Sequence, residues 1–78
     1  MPIDTDTPYT AFEYGYAAFI RGNGRLWLTD ADFASAPRTK DFDQARCDWY
    51  RGWDTANVAG VKQDASFRIH NVRKVMAK

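Results

Sequence analysis

The pattern of apolar and polar positions predicts a first α-helix over about residues 8–22. On a helical wheel, four small residues fall within about 60° of one another: Ala11, Gly15, Ala18 and Gly22. Three aromatic residues form a ridge beside this stripe: Phe12, Tyr16 and Phe19. Thr10 and Glu13 have the spacing of a capping box at the start of the helix. Gly22-Asn23-Gly24 ends it, because glycine and asparagine tolerate the left-handed conformation of a C-terminal cap.

A second helix is predicted over about residues 41–59. Its apolar and small residues lie within an arc of about 120°: Phe42, Ala45, Trp49, Gly52, Trp53, Ala56 and Ala59. Asp41, with Gln44 three positions later, predicts an acidic N-cap, and Gly60 predicts the C-terminal end.

Both faces combine glycine and alanine with large aromatic residues. A glycine inside a helix costs about 1 kcal/mol relative to alanine, so its presence indicates close approach of another backbone or a ligand. We therefore predict a mainly α fold built on a two-helix hairpin. The predicted helix seam consists of Gly15, Ala18, Gly22, Trp49, Gly52, Trp53 and Ala56.

The segments outside these helices are less regular. Residues 25–29 suit either a short strand or a packed loop, and residues 30–36 suit one helical turn before Pro37. The tail alternates in hydrophobicity at Phe67 and Ile69, whereas Val72 and Val75 have helical spacing, so strand and helix are both open. We favour a strand over 66–72 that pairs with 25–29.

Length and composition indicate a single domain over residues 1–78, with a loose N-terminus at 1–6. Two helices cannot enclose all twelve aromatic residues, so we expect some to meet a partner, a homodimer being one option. One cysteine and one histidine exclude a disulfide framework and a multi-cysteine zinc site, and we expect no metal and no cofactor. The composition predicts a cytoplasmic protein without a membrane partner.

The net charge of +1 is unevenly distributed along the chain. Residues 61–78, a basic C-terminal extension, contain five basic residues and one acidic residue. Lys and Arg side chains bind phosphates, so basic residues are the candidate nucleic-acid contacts. They are Arg21, Arg25, Arg46, Arg68, Arg73 and Lys74, with Lys62 and Lys78 as further candidates. The alternatives are a solvated charged surface and, for Arg46, a bond to Asp43 one turn earlier.

No arrangement of residues indicates catalysis. Asp41 and Asp43 are two positions apart and point to different sides of a helix, and no glycine-rich phosphate loop follows a strand. Cys47 has no accompanying histidine or carboxylate in the pattern of a nucleophile and its base. We predict a non-enzymatic protein.

Two motifs resemble the paired helices of the ribosome modulation factor family and the short phage and plasmid proteins that share its pattern. They are Gly15-Tyr16-x-Ala18-x-Ile20-x-Gly22 and Arg46-x-x-Trp49-x-x-Gly52-Trp53-x-x-Ala56, within residues 12–58. The resemblance implies a small regulator of ribosome hibernation that binds the ribosome or its RNA and lowers translation. This chain differs in its near-neutral charge, in the longer segment 23–45, and in the basic extension.

The alternative function is binding to a host protein. A phage or mobile-element accessory protein would bind a host protein, and interface cores are enriched in aromatic residues. The candidate contacts for that function are Trp27, Phe33 and Tyr50.

Overall fold

Two helices in contact form the centre of the fold. The computed structural model describes residues 8–35 and 41–77, in which there are four α-helices: α1 (Ala11–Ile20), α2 (Ala31–Ser35), α3 (Phe42–Ala59) and α4 (Val72–Met76). Two 3₁₀ turns, Trp27–Thr29 and Ile69–Asn71, precede α2 and α4. The predicted loose terminus 1–6, Pro37 and Lys78 lie outside the described residues.

Local sequence signals set most of the helix ends. The Glu13 amide donates to Thr10 Oγ1 at 3.2 Å and the Thr10 amide donates to Glu13 Oε1 at 2.8 Å, which confirms the capping box of α1. Gly60 ends α3 with a φ of +68°. Asp41 is the N-cap residue of α3, as predicted, but its side chain makes no capping hydrogen bond, and its backbone (φ −103°, ψ 45°) is not in the extended conformation typical of an N-cap.

Gly15 and Gly52 lie where the backbones of α1 and α3 come closest. A Cβ atom on Gly15 would lie 1.8 Å from the carbonyl oxygen of Trp49, and one on Gly52 would lie 2.0 Å from that of Phe12. Neither distance leaves room for any side chain, so each glycine allows the other helix to approach. This contact confirms the prediction that these two glycines mark a helix seam.

The other predicted seam residues divide into two groups. Ala18, Trp49 and Ala56 are fully buried, while Trp53 is half-buried, with its ring 5.1 Å from that of Phe19. Gly22 does not belong to the seam. It is exposed, with a φ of +88° and no atom within 4 Å of a Cβ built on it, so its role is to let the chain turn after α1.

The predicted β element is wrong, since the residues that the structure describes form no strand. In the segment 25–29, the Thr29 amide donates to the Leu26 carbonyl at 2.9 Å and Asn23 Nδ2 donates to the Thr29 carbonyl at 2.8 Å. These local bonds satisfy backbone groups that a strand would pair. In the tail, Val72 is fully buried and α4 packs on α1. This segment therefore ends in a helix, as the spacing of Val72 and Val75 indicated, and not in a strand.

The buried side chains form two clusters on the central helix pair. One surrounds Ile20 and Val72, where α4 meets α1. The other surrounds Phe33 and Trp49, where α2 and the Trp27 turn meet α3. Phe33, expected to contact a partner, is only 6% exposed, because it packs against the rings of Trp27, Phe42, Trp49 and Tyr14.

Within 8–35 and 41–77, no helix has the length and apolar character needed to span a bilayer.

Candidate nucleic-acid interface

Arg21, one of the candidate nucleic-acid contacts, is held inside the fold. Its guanidinium binds Asp30 Oδ1 and Asp32 Oδ2, both at 2.9 Å. The Asp30 side chain is fully buried, and its Oδ2 also accepts a 3.0 Å hydrogen bond from the indole Nε1 of Trp49. Arg21 therefore compensates a buried carboxylate and is not placed to bind phosphate.

Arg25 and Arg46 are also paired with carboxylates, at the surface of α3. Arg25 makes a bidentate contact with Asp54, at 2.7 and 2.8 Å, and its guanidinium lies 4.8 Å from the centre of the Tyr50 ring. Arg46 binds Asp43 one turn earlier, which confirms the structural alternative for this residue. Such pairing reduces the positive potential that each arginine offers to an anion.

Arg73 joins α4 to the start of α1. Its Nε and Nη2 bind the two carboxylate oxygens of Glu13 at 2.5 and 3.0 Å, and Nη2 also donates to the Pro8 carbonyl at 3.1 Å. The Tyr9 ring lies 4.9 Å from the guanidinium. Because Glu13 is at the same time part of the α1 capping box, one carboxylate connects the two ends of the described chain. Arg73 is a structural residue, and the hypothesis that it binds phosphate loses its basis.

This contact makes stability depend on pH. The Arg73 hydrogen bonds hold the pKa of the Glu13 carboxyl below its ordinary value, so the ionised form favours the folded state. We expect that stabilisation to be complete above about pH 5 and to be lost as the pH falls through the lowered pKa. Urea unfolding between about pH 7 and pH 3 should show a steeper loss for the natural chain than for Arg73→Gln. Lys74→Gln, a change at the adjacent exposed residue, is the control and should leave the slope unaltered. Parallel curves for the natural chain and Arg73→Gln would contradict this role.

The remaining candidate cations lie together in the C-terminal segment. Lys62, Arg68 and Lys74 are exposed, and none of them forms an ion pair with a residue in the part of the chain that the structure describes. Arg68 precedes the second 3₁₀ turn and Lys74 lies on the outer side of α4. The charge of Lys62 is partly offset, because after the Ser66 hydrogen bonds it also contributes to the lowered pKa of the Asp64 carboxyl. Arg68 and Lys74 are the other described candidates that form no ion pair with a described residue.

A groove of about 470 Å³ opens beside Lys62. Its apolar walls come from α1, α4 and the segment between α3 and α4: Ile20, Val61, Phe67 and Val75. Its polar edge is formed by Lys62, Gln63 and Asp64. Arg68 and Lys74 are neighbours in sequence of the lining residues Phe67 and Val75, but neither of them lines the groove. The groove therefore combines an apolar wall with one cation, Lys62, and one anion, Asp64, at its polar edge.

The segment that forms the polar edge is fixed by the C-terminal end of α1. The Asp64 amide donates to the Ile20 carbonyl at 2.6 Å, and Gln63 Nε2 donates to the Phe19 carbonyl at 3.0 Å. The Asp64 bond supplies a donor to a carbonyl at the C-terminal end of α1, and the Gln63 bond adds a second donor to the Phe19 carbonyl, which also accepts from the Gly22 amide at 3.0 Å. Asp64 Oδ1 accepts hydrogen bonds from the hydroxyl and the amide of Ser66, and these lower the pKa of the carboxyl, which is ionised at neutral pH.

Sequence reasoning missed Asp30 and the edge formed by Gln63 and Asp64. A local signal existed for each. Asp30 directly precedes a helical turn and Phe33 donates its amide to the Asp30 carboxylate at 3.3 Å, as at an N-cap. Asp64 and Ser66 have the spacing of an Asx turn. Their distant partners, Trp49 and the α1 carbonyls, had no signal of this kind.

Comparison with protein-family models, with curated proteins and with solved structures found no match to this chain. Among residues 8–35 and 41–77, no group of three or more His, Cys, Asp or Glu side chains is placed to hold a metal ion.

Proposed function

We propose that this chain is a small non-enzymatic RNA-binding protein that associates with the ribosome in the cytoplasm and lowers translation. The observation that carries the proposal is the set of exposed cations on one C-terminal segment, Lys62, Arg68 and Lys74, none of which forms an ion pair with a described residue. Neutralising phosphates and releasing their counterions supplies most sequence-independent affinity for nucleic acid. The other four candidate arginines, Arg21, Arg25, Arg46 and Arg73, form ion pairs with carboxylates of the same chain. The proposed binding surface therefore has fewer cations than the sequence implies.

The scaffold that we propose is a two-helix hairpin like that of the ribosome modulation factor family. The contacts of Gly15 with Trp49 and of Gly52 with Phe12 support it, because both glycines belong to the motifs that resemble that family. Small residues on both helices allow the close approach. Lys62, Arg68 and Lys74 lie outside those motifs, in the extension that distinguishes this chain from the family.

The salt dependence of RNA binding tests the proposal. Three phosphate contacts predict a slope of log K against log salt of about −2 for single-stranded RNA, measured by fluorescence anisotropy. We expect the triple variant Lys62→Gln, Arg68→Gln, Lys74→Gln to lose most of this slope and to leave the ribosomal fractions of a sucrose gradient. Arg25→Gln is the matched control, since it removes an exposed arginine whose charge Asp54 already compensates, and it should change the slope much less.

Two outcomes would count against RNA binding. Absence of an RNA complex at low salt would refute it directly. Ribosome association that resists both nuclease and high salt would instead favour a protein partner. Leu26 and Leu28, 45% and 62% exposed on either side of Trp27, are the observation that favours such a partner.

A further inference from the structure

The groove between α1 and α4 has the properties of a site for a flat apolar group with an anion beside it. Its volume of about 470 Å³ falls in the range of pockets that hold small organic groups. Phe67 supplies an aromatic ring, Ile20, Val61 and Val75 supply aliphatic surface, and Lys62 supplies positive charge at the edge.

We propose that this groove takes one unpaired base of a single-stranded RNA, with Phe67 as the stacking surface and Lys62 and Arg68 on the neighbouring phosphates. This inference rests on the proposed function and names the form of RNA that the surface recognises. Unpaired bases bind proteins by stacking on aromatic side chains and by hydrogen bonds at their edges. Double-stranded RNA keeps its bases stacked inside the helix, so it offers the groove no such group.

Asp64 distinguishes a base from the other occupant that would suit a basic apolar groove, an acidic peptide. Asp64 is one of the residues that line the groove, and among described residues only Ser66 donates hydrogen bonds to its carboxylate, both to Oδ1. An ionised carboxylate repels the carboxylates of an acidic peptide and the phosphates of RNA alike. It also accepts hydrogen bonds, however, and the bases present N–H donors at their edges, whereas acidic side chains have none when ionised. The same groove therefore offers a cation for a phosphate and an acceptor for a base.

An oligonucleotide that lacks one base separates the two contributions. A short single-stranded RNA is compared with the same RNA carrying a single abasic position, which keeps every phosphate. The full chain should bind the intact RNA about 5- to 100-fold more tightly than the abasic one. Methyl and aromatic NMR signals of Val61, Phe67 and Val75 should shift with the intact RNA only.

Two matched variants assign the base contribution to the groove. Phe67→Leu keeps an apolar side chain but removes the ring, so the affinity for intact RNA should fall to that for abasic RNA, and abasic binding should not change. Phe12→Leu removes another half-buried ring that packs on the same core but does not line the groove, and it should preserve the difference between the two RNAs. Thermal unfolding of both variants is the check that they remain folded.

The possible results are distinct. Equal affinity of the natural chain for both RNAs at low salt overturns the base site and leaves the proposed function intact. Failure of both RNAs to bind overturns the proposed function itself. Stronger binding of duplex than of single-stranded RNA, or NMR shifts of the groove residues with an acidic peptide and not with RNA, also overturns the base site.

Discussion

Gly15→Ala is expected to destabilise the fold by about 3 kcal/mol or more, at the upper end of the cost of overpacking. The added Cβ would lie 1.8 Å from the Trp49 carbonyl oxygen and 2.7 Å from its carbonyl carbon. These atoms belong to the backbone of α3, so no side-chain rotation can remove the overlap, and the two helices must separate. The higher helix propensity of alanine, worth about 1 kcal/mol, is too small to compensate.

Urea unfolding followed by circular dichroism measures this effect, and the chain contains its own controls. Gly52→Ala should cost a similar amount, because its Cβ would lie 2.0 Å from the Phe12 carbonyl oxygen. Gly24→Ala should stay within about 0.5 kcal/mol of the natural chain, as surface substitutions usually do, since no atom lies within 4 Å of its Cβ. A Gly15→Ala protein as stable as Gly24→Ala would show that α1 and α3 do not pack at these glycines.

Asp30→Ala is expected to cost about 3 to 5 kcal/mol, the range found when one partner of a buried ion pair is removed. The fully buried carboxylate binds the Arg21 guanidinium, the Trp49 indole N–H and the Phe33 amide. Without it, a partly buried cation and a buried indole donor lose their acceptors, and α2 loses its N-terminal cap. The loss appears in the same urea unfolding measurement.

Asp32→Ala is the control for Asp30, since both residues bind Arg21 at 2.9 Å. The Asp32 side chain is 56% exposed, so water replaces its contact and the expected cost is at most about 1 kcal/mol. Near-equal losses for Asp30→Ala and Asp32→Ala would mean that burial of the Asp30 network contributes nothing. Tryptophan fluorescence adds a specific readout, because only Asp30→Ala removes the acceptor of the Trp49 indole N–H.

The charged residues show why a candidate site read from sequence needed correction. Arg73 and Glu13 are 60 positions apart, and Arg25 and Asp54 are 29 apart. No local pattern connects residues at such separations. The sequence therefore cannot show which of these arginines is paired with a carboxylate, and the pairing becomes visible only when the packing of the helices is known. Arg46 is different, because Asp43 lies one helical turn before it and the pairing follows from spacing alone.

The segments 25–29 and 66–72 show that secondary structure, too, cannot be predicted from a local pattern when it depends on a distant segment. A strand exists only when another strand accepts its hydrogen bonds, so its formation depends on a distant segment. Here the Thr29 carbonyl accepts a hydrogen bond from the Asn23 side chain, and the Thr29 amide donates to the Leu26 carbonyl. In the tail, Val72 is buried against the central helices. Alternation over three positions could not decide between these outcomes.

The sequence by itself determined the two long helices, their capping by Thr10 and Gly60, and the seam glycines, Gly15 and Gly52. Those features depend on residues within a few turns of one another or on a periodicity that one helix carries in full. The tertiary structure alone decided that Arg21, Arg25 and Arg73 are paired with carboxylates, that Gly22 lies outside the seam, and that a groove opens beside Lys62. Each of these depends on distances between remote segments, and packing sets those distances.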